Sequence, residues 1–176
     1  MSASRVEPLK LAELSEKQLG HVRAFVGPKG QLPNIFGVLL RNMDLFEAWA
    51  GFGTYTMSGS RIDAQLREIL VLRTAANLNC DYEWHHHRRL GLAVGLTEDL
   101  INDIRDGKPL ASDDQKLMVC CADELGADAV LSDSTWLWMV ERFGDAYTMD
   151  VIFTVGAYTA LAMGLKSCGV QLETRG

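Results

Sequence analysis

Leu66-Arg67-Glu68-Ile69-Leu70-Val71-Leu72-Arg73, followed shortly by Cys80-Asp81-Tyr82-Glu83-Trp84-His85-His86-His87, is the stretch on which the fold turns. From Asp63 to Asn77 apolar residues recur at Leu66, Ile69, Leu70, Leu72 and Ala76, the three-and-four spacing of a helix. So much of that helix is Leu, Ile or Val that little polar face remains, and it is expected to be buried. Glu68 is then the odd member. It lies either on a narrow solvent-facing strip with Arg67 or in the interior, where an acid is costly unless a partner holds it. A second helix is predicted over Asp81 to Val94, ended by Gly95. A tight turn joins the two, so they are expected to pack antiparallel.

The three consecutive histidines invite a metal reading that helix geometry opposes. Successive side chains point about 100° apart, so His85, His86 and His87 cannot all face one ion. No metal and no other cofactor is expected. Glu83 and His87 form the useful pair: four residues apart, they share a helical face. There they are either a solvated ion pair or a carboxylate and an imidazole that exchange a proton. Glu83 also lies in the first turn, where the helix dipole favours a carboxylate, and the same positive end can hold a substrate carboxylate. His85 and His86 point away from that face and make a basic surface patch with Arg88 and Arg89. Cys80, at the amino end of the helix, has the setting that lowers a thiol pKa. A disulfide-exchange or peroxidatic role normally needs a second cysteine, and position 83, where a Cys-x-x-Cys pair would place it, holds Glu.

Outward from this pair the chain reads as helix almost throughout. Ser15-Glu16-Lys17-Gln18 is a capping-box pattern opening a first helix that Gly27-Pro28 and Gly30 end. Asn34 caps a short apolar helix through Leu40, and Asp44-Leu45-Phe46-Glu47 opens another that closes near Ser58-Gly59-Ser60. Thr97 caps a helix stopped by Gly107. Ser112 and Ser132 open two more, stopped by Gly126 and Gly144, and a last helix runs from about Tyr147 to Lys166. No stretch alternates polar and apolar residues as a strand would. An all-α single domain over 1–176 is predicted, with a motif core at about 44–126.

Composition bounds the partners. With 176 residues, 48% hydrophobic and 23% charged, the chain can bury a core without disulfides. A formal charge of −6 with no Lys/Arg-rich run speaks against nucleic acid and against an anionic membrane. The first residues, Met1 to Lys17, are interrupted by charges and hold no signal-peptide core, so a cytoplasmic location is expected. Cys80, Cys120, Cys121 and Cys168 have no framework spacing and are expected reduced. Val151 to Leu165 lacks charge, yet at that length, interrupted by Thr154, Gly156, Thr159 and Gly164, it reads as a central or interface helix rather than a membrane span. Trp136, Trp138 and Tyr158 read as core or interface aromatics, and Tyr158 is the one that can line a pocket.

Leu66 to Arg73, then Tyr82-Glu83-Trp84 and His87, then Gly91-Leu92-Ala93-Val94-Gly95-Leu96 resemble the core of the carboxymuconolactone decarboxylase and alkylhydroperoxidase D-like family. Leu32-Pro33-Asn34-Ile35-Phe36 and the region Val155-Gly156-Ala157-Tyr158 resemble its longer, decarboxylase-like members. The resemblance implies an all-helical alkylhydroperoxidase D-like fold and assembly into trimers or hexamers. In the hydroperoxidase branch a glutamate, two cysteines and a histidine form a proton-relay and thiol site. The matching positions here are Glu68, Cys80, Glu83 and His87, so the second thiol is missing. The Tyr-Glu-Trp-x-x-His form is similar to the decarboxylase-related branch. There acid/base groups without metal or organic cofactor act on a small carboxylated or lactone-type substrate, by decarboxylation or a related lyase or isomerase reaction. On that reading His87 donates the proton, Glu68 orients or recharges it, and Glu83 shapes the network. Cys80, Tyr82, Arg73 and Tyr158 are possible accessories, with Arg73 receiving an anionic group. Two other readings stay open: a thiol antioxidant protein using Cys80, and a non-enzymatic oligomer that binds a small ligand.

Overall fold

A computed structural model describes residues 4–27 and 30–173, all helix, turn or loop, with no strand among them. Pro28, assigned above to a helix stop, lies outside the described residues, as do Met1 to Ala3 of the leading segment. The helices are α1 (Glu16–Val22), α2 (Asn34–Leu39), α3 (Met43–Thr54), α4 (Ala64–Asn77), α5 (Asp81–Ala93), α6 (Glu98–Asp106), α7 (Asp113–Asp128), α8 (Asp133–Phe143) and α9 (Asp145–Cys168). The predicted all-α class holds. Contacts cluster the chain into two compact units, Met1–Gly53 with Met163–Gly176, and Thr54–Ala162.

In the first unit, Val22, Leu40 and Phe46 are fully buried and gather Phe25 and Phe36 around them. Phe25 and Phe36 stack with centroids 4.5 Å apart. Ser15 and Gln18 cap α1 reciprocally, as their spacing predicts. Gly37 of α2 is required by packing, since a Cβ there would lie 2.6 Å from the Leu9 carbonyl oxygen. The opening of α3 differs from the sequence reading: it starts at Met43, and Asn42 Oδ1 accepts from the Leu45 N–H. Asn42 stands one residue before the helix, which lets its short amide turn back over the first turn.

The second unit is built around α4, which packs on α5, α6 and α7. Asp63 caps it by accepting from the Gln65 and Leu66 N–H groups. Ile69, Leu70 and Leu72 of α4 pack with Ile101 and Ile104 of α6 and with Leu117 and Met118 of α7, all but excluded from solvent. A turn at Leu78 to Cys80 reverses the chain into α5, with Asn79 in the left-handed region at φ 49° and the Cys80 N–H bonded to the Ala75 carbonyl. Asn is among the few side chains that tolerate this conformation. Gly126 does not stop α7, because nothing obliges a glycine inside a helix to leave it. The helix runs to Asp128 and ends where Ala129 takes φ 59°. The last helix likewise opens two residues earlier than predicted, at Asp145.

By length and composition α9 can cross a membrane. Its residues Val151 and Val155 nevertheless belong to the second unit's core. Asp150 is buried there too, accepting from the Tyr55 hydroxyl at 2.6 Å and the Arg61 N–H at 2.9 Å. A buried carboxylate tied in this way fixes this face of α9 in the unit's own core.

Candidate active site

Three helices of the second unit meet at His87. Residue 68 on α4, residues 83 and 87 on α5 and residue 158 on α9 are all 3–6% exposed, a cluster of ionisable groups in the interior. The strip reading of Glu68 is therefore excluded. Its Oε2 lies 2.7 Å from His87 Nδ1, a charge-assisted hydrogen bond at full strength. On the other side of the ring, Nε2 faces Glu83 Oε2 at 3.4 Å. That separation is long for a hydrogen bond and makes an ion pair with room for adjustment. The i, i+4 spacing brings this second carboxylate to the ring, while the α4–α5 reversal brings the first. The Tyr158 ring stands edge-on to the imidazole, centroids 4.9 Å apart at 88°.

Charge decides the state of the site. Burial pushes the His87 pKa down, but hydrogen bonds to Glu68 and Glu83 and the charges of both carboxylates outweigh it, raising the group from its ordinary 6.5 to about 9. His87 is an imidazolium at neutral pH, clasped between two acids. The Tyr158 phenol is driven far above its usual range, first by burial and then by the Glu83 and Glu68 charges. It stays a neutral hydroxyl.

Arg67 balances the first carboxylate, Glu68. Its Nε is 3.6 Å from Glu68 Oε1, with the guanidinium side chain only 15% exposed. The sequence reading puts the two together only on a solvent-facing strip; adjacent residues on a helix diverge by about 100°, so a buried pairing between them has no local signal. Two atoms of this constellation are buried without a hydrogen-bond partner in the protein: Arg67 Nε and Glu83 Oε1. Leaving a buried polar group unsatisfied costs about 1–3 kcal/mol, more when it is charged. Such a cost is usually retained where the atom has a use.

Three proposed accessories make contacts of their own. The Arg73 guanidinium is bonded to Asp123 at 2.5 and 3.0 Å and to the Ile104 carbonyl at 2.9 Å, which spends its fork on a tie between α4, α6 and α7. That corrects its assignment as an anion receiver. Tyr82 packs on His86 one turn along, centroids 4.5 Å apart, on the face beside that of Glu83 and His87. Cys80 is buried and lines a separate shallow pocket of ≈ 260 Å³ with Ala75, Asn79, Trp84 and Arg105. The Arg105 guanidinium covers the Trp84 ring at 3.9 Å. His85 and His86 are half-buried rather than open surface, and Arg88 pairs with Glu98. All four cysteines are thiols. Among the described residues no group of three or more His, Cys, Asp or Glu is placed to hold a metal ion.

With this geometry in view, residues 43–116 match the carboxymuconolactone decarboxylase family. That segment contains Glu68, Glu83 and His87. The fold is that of alkylhydroperoxidase D-like proteins. A peroxidase-related protein from Silicibacter sp. TM1040 superposes with a TM-score of 0.84 at 14% identity, over 99% of this chain and 94% of that one. An alkylhydroperoxidase AhpD core protein from Ralstonia eutropha JMP134 gives 0.84 at 16%, over 98% and 94%. A cysteine-to-alanine variant of the debrominase Bmp8, in complex with 2,3,4-tribromopyrrole, gives 0.75 at 14%, over 98% and 93%. No curated protein matches the chain by sequence.

Proposed function

We propose, for a chain whose residues 43–116 match the carboxymuconolactone decarboxylase family, a cofactor-independent acid/base enzyme of the Tyr-Glu-Trp-x-x-His branch. Its reaction is a decarboxylation, or a related lyase or isomerase step, on a small carboxylated or lactone-type metabolite. The observation that carries this reading is the buried Glu68–His87–Glu83 chain, an imidazolium held between two carboxylates.

Loss of carbon dioxide leaves an electron pair on carbon, delocalised as an enolate, and the enzyme must quench it with a proton. His87 carries that proton at neutral pH. A raised pKa weakens it as an acid, yet a carbanionic or enolate carbon is far more basic than imidazole, so the transfer remains downhill. Nδ1 is committed to Glu68, which fixes the tautomer and returns the charge. Nε2, only loosely engaged by Glu83, is the nitrogen that faces a reacting atom. Tyr158 supplies a dry wall against the ring and lends the site a neutral hydroxyl. Incubating the purified protein with a metabolite extract and reading losses by mass spectrometry tests the proposal. A substrate that disappears with wild-type protein and not with His87→Ala supports it. Turnover equal in both would sink it.

The competing thiol reading predicts a different sensitivity. Cys80 is buried and lines a pocket with Ala75, Asn79, Trp84 and Arg105, and Glu83 stands where a resolving thiol would be. Cys80→Ser should therefore keep the principal activity within about threefold, and hydroperoxide consumption with a dithiol donor should be negligible in both proteins. Robust peroxide turnover lost in the serine variant would reverse the ranking.

A homo-oligomer, trimer or hexamer, completes the proposal. Leu137 is 65% exposed, Phe153 53% and Met163 62%, more apolar surface than a small domain normally leaves to water. Light scattering at micromolar concentration should return one of those states, and a clean monomer would refute it.

A further inference from the structure

Glu83 ends the Glu68–His87–Glu83 chain at an atom no protein group uses. Its side chain is 5% exposed, Oε2 faces His87 Nε2, and Oε1 is buried without a hydrogen-bond partner in the protein. Arg67 Nε, also unpartnered, is a donor and lies beside Glu68. The two open atoms therefore differ in kind: one donor next to Glu68, and one acceptor at the Nε2 end of the imidazole. Two carboxylates, the imidazolium between them and the Arg67 guanidinium beside Glu68 make up the formal charges of the cluster, so the local sign is set by the open carboxylate oxygen itself. An anionic oxygen brought against Oε1 is repelled, whereas a neutral group with an acidic hydrogen gains a charge-assisted bond.

We infer that Glu83 Oε1 is the acceptor by which the site recognises its ligand, and that the ligand class is a small neutral molecule, or the neutral end of one, presenting a weakly acidic O–H or N–H. The inference rests on the acid/base reading and narrows its substrate. A carboxylated substrate brings an enol, lactol or heteroaromatic N–H end to Glu83 and keeps its carboxylate away from it. The bond it donates satisfies Oε1 and sets the reacting atom beside His87 Nε2, so recognition and proton delivery fall on one residue pair. Glu83 thus becomes a substrate-binding residue as well as a member of the proton network.

The test compares para-nitrophenol with para-nitroanisole, which has the same ring and nitro group but no O–H, on wild-type protein at a pH where the phenol is neutral. Isothermal titration calorimetry should show saturable phenol binding at least about tenfold tighter than the ether. Glu83→Gln, whose neutral amide is a weaker acceptor, should erase most of that preference. Equal affinity for phenol and ether, no saturable phenol binding, or a preference unchanged in a folded Glu83→Gln protein would each overturn the inference. The ether comparison stands on unaltered protein, so it survives any folding defect in the variant. If the phenol preference fails while His87→Ala still abolishes metabolite turnover, the ligand class falls and the acid/base reading stands. If the preference holds while His87→Ala keeps turnover, recognition stands and the relay falls.

Discussion

Glu68→Gln should lower turnover of the true substrate roughly a hundredfold or more, the scale of a positioned proton donor losing its function. The cause is electrostatic. Burial alone pushes the His87 pKa down, and Glu68 is foremost among the groups that reverse this and hold it at about 9. With an amide in that place the 2.7 Å bond to Nδ1 loses its charge, Glu83 faces the ring only at 3.4 Å, and the imidazole empties its proton at a lower pH. Proton NMR of the histidine ring should report a titration shifted down by a unit or more. A His87 titration and a rate that both match wild type would show that Glu68 does not charge the ring.

The same substitution alters the pH dependence of stability, and the sign follows from the direction of the shift. A folded-state pKa raised from 6.5 to about 9 contributes stability that is fully present below about 6.5 and is lost as pH rises through 9. Wild-type protein should therefore lose denaturant resistance between those pH values, and Glu68→Gln should show a flatter slope there. A wild-type slope absent from that window would mean that His87 is neutral when folded.

Much of this site is legible in the sequence. The apolar density of Leu66 to Leu72 announced a buried helix, and a single turn after Asn77 forced its successor to run back beside it. Glu83 and His87 were paired by spacing alone. What spacing leaves open is depth: it relates residues on one helix and says nothing about which helix covers them. Glu68 was therefore even between a wet strip and a dry pocket, and only the packing of α4 against α5, α6 and α7 resolved it. Arg73 failed for the same reason. Its charge suited an anion, but its partner, Asp123, comes from a helix fifty residues on, whose approach no local pattern foretold. Arg67 enters the sequence reading only as a neighbour on the wet strip, yet its long flexible side chain curls back over the adjacent Glu68 in the interior.

His87→Ala should be as damaging as Glu68→Gln or worse, and His85→Ala should stay within about twofold of wild type. The contrast separates catalysis from the general chemistry of a histidine-rich segment. His85 is half-buried, its ring set at 84° to that of His86, and it points about 100° per residue away from the Glu83–His87 face. Removing His87 instead leaves two buried carboxylates without the cation between them. The variant loses the donor at Nε2. Added imidazole, small enough to refill the gap, should restore part of the rate, and should restore nothing to Glu68→Gln, where the ring is present but uncharged. Equal losses in His85→Ala and His87→Ala would mean that the three histidines serve the helix rather than the reaction. Rescue of both His87→Ala and Glu68→Gln by imidazole would mean that a buffer base, not this buried chain, carries the proton.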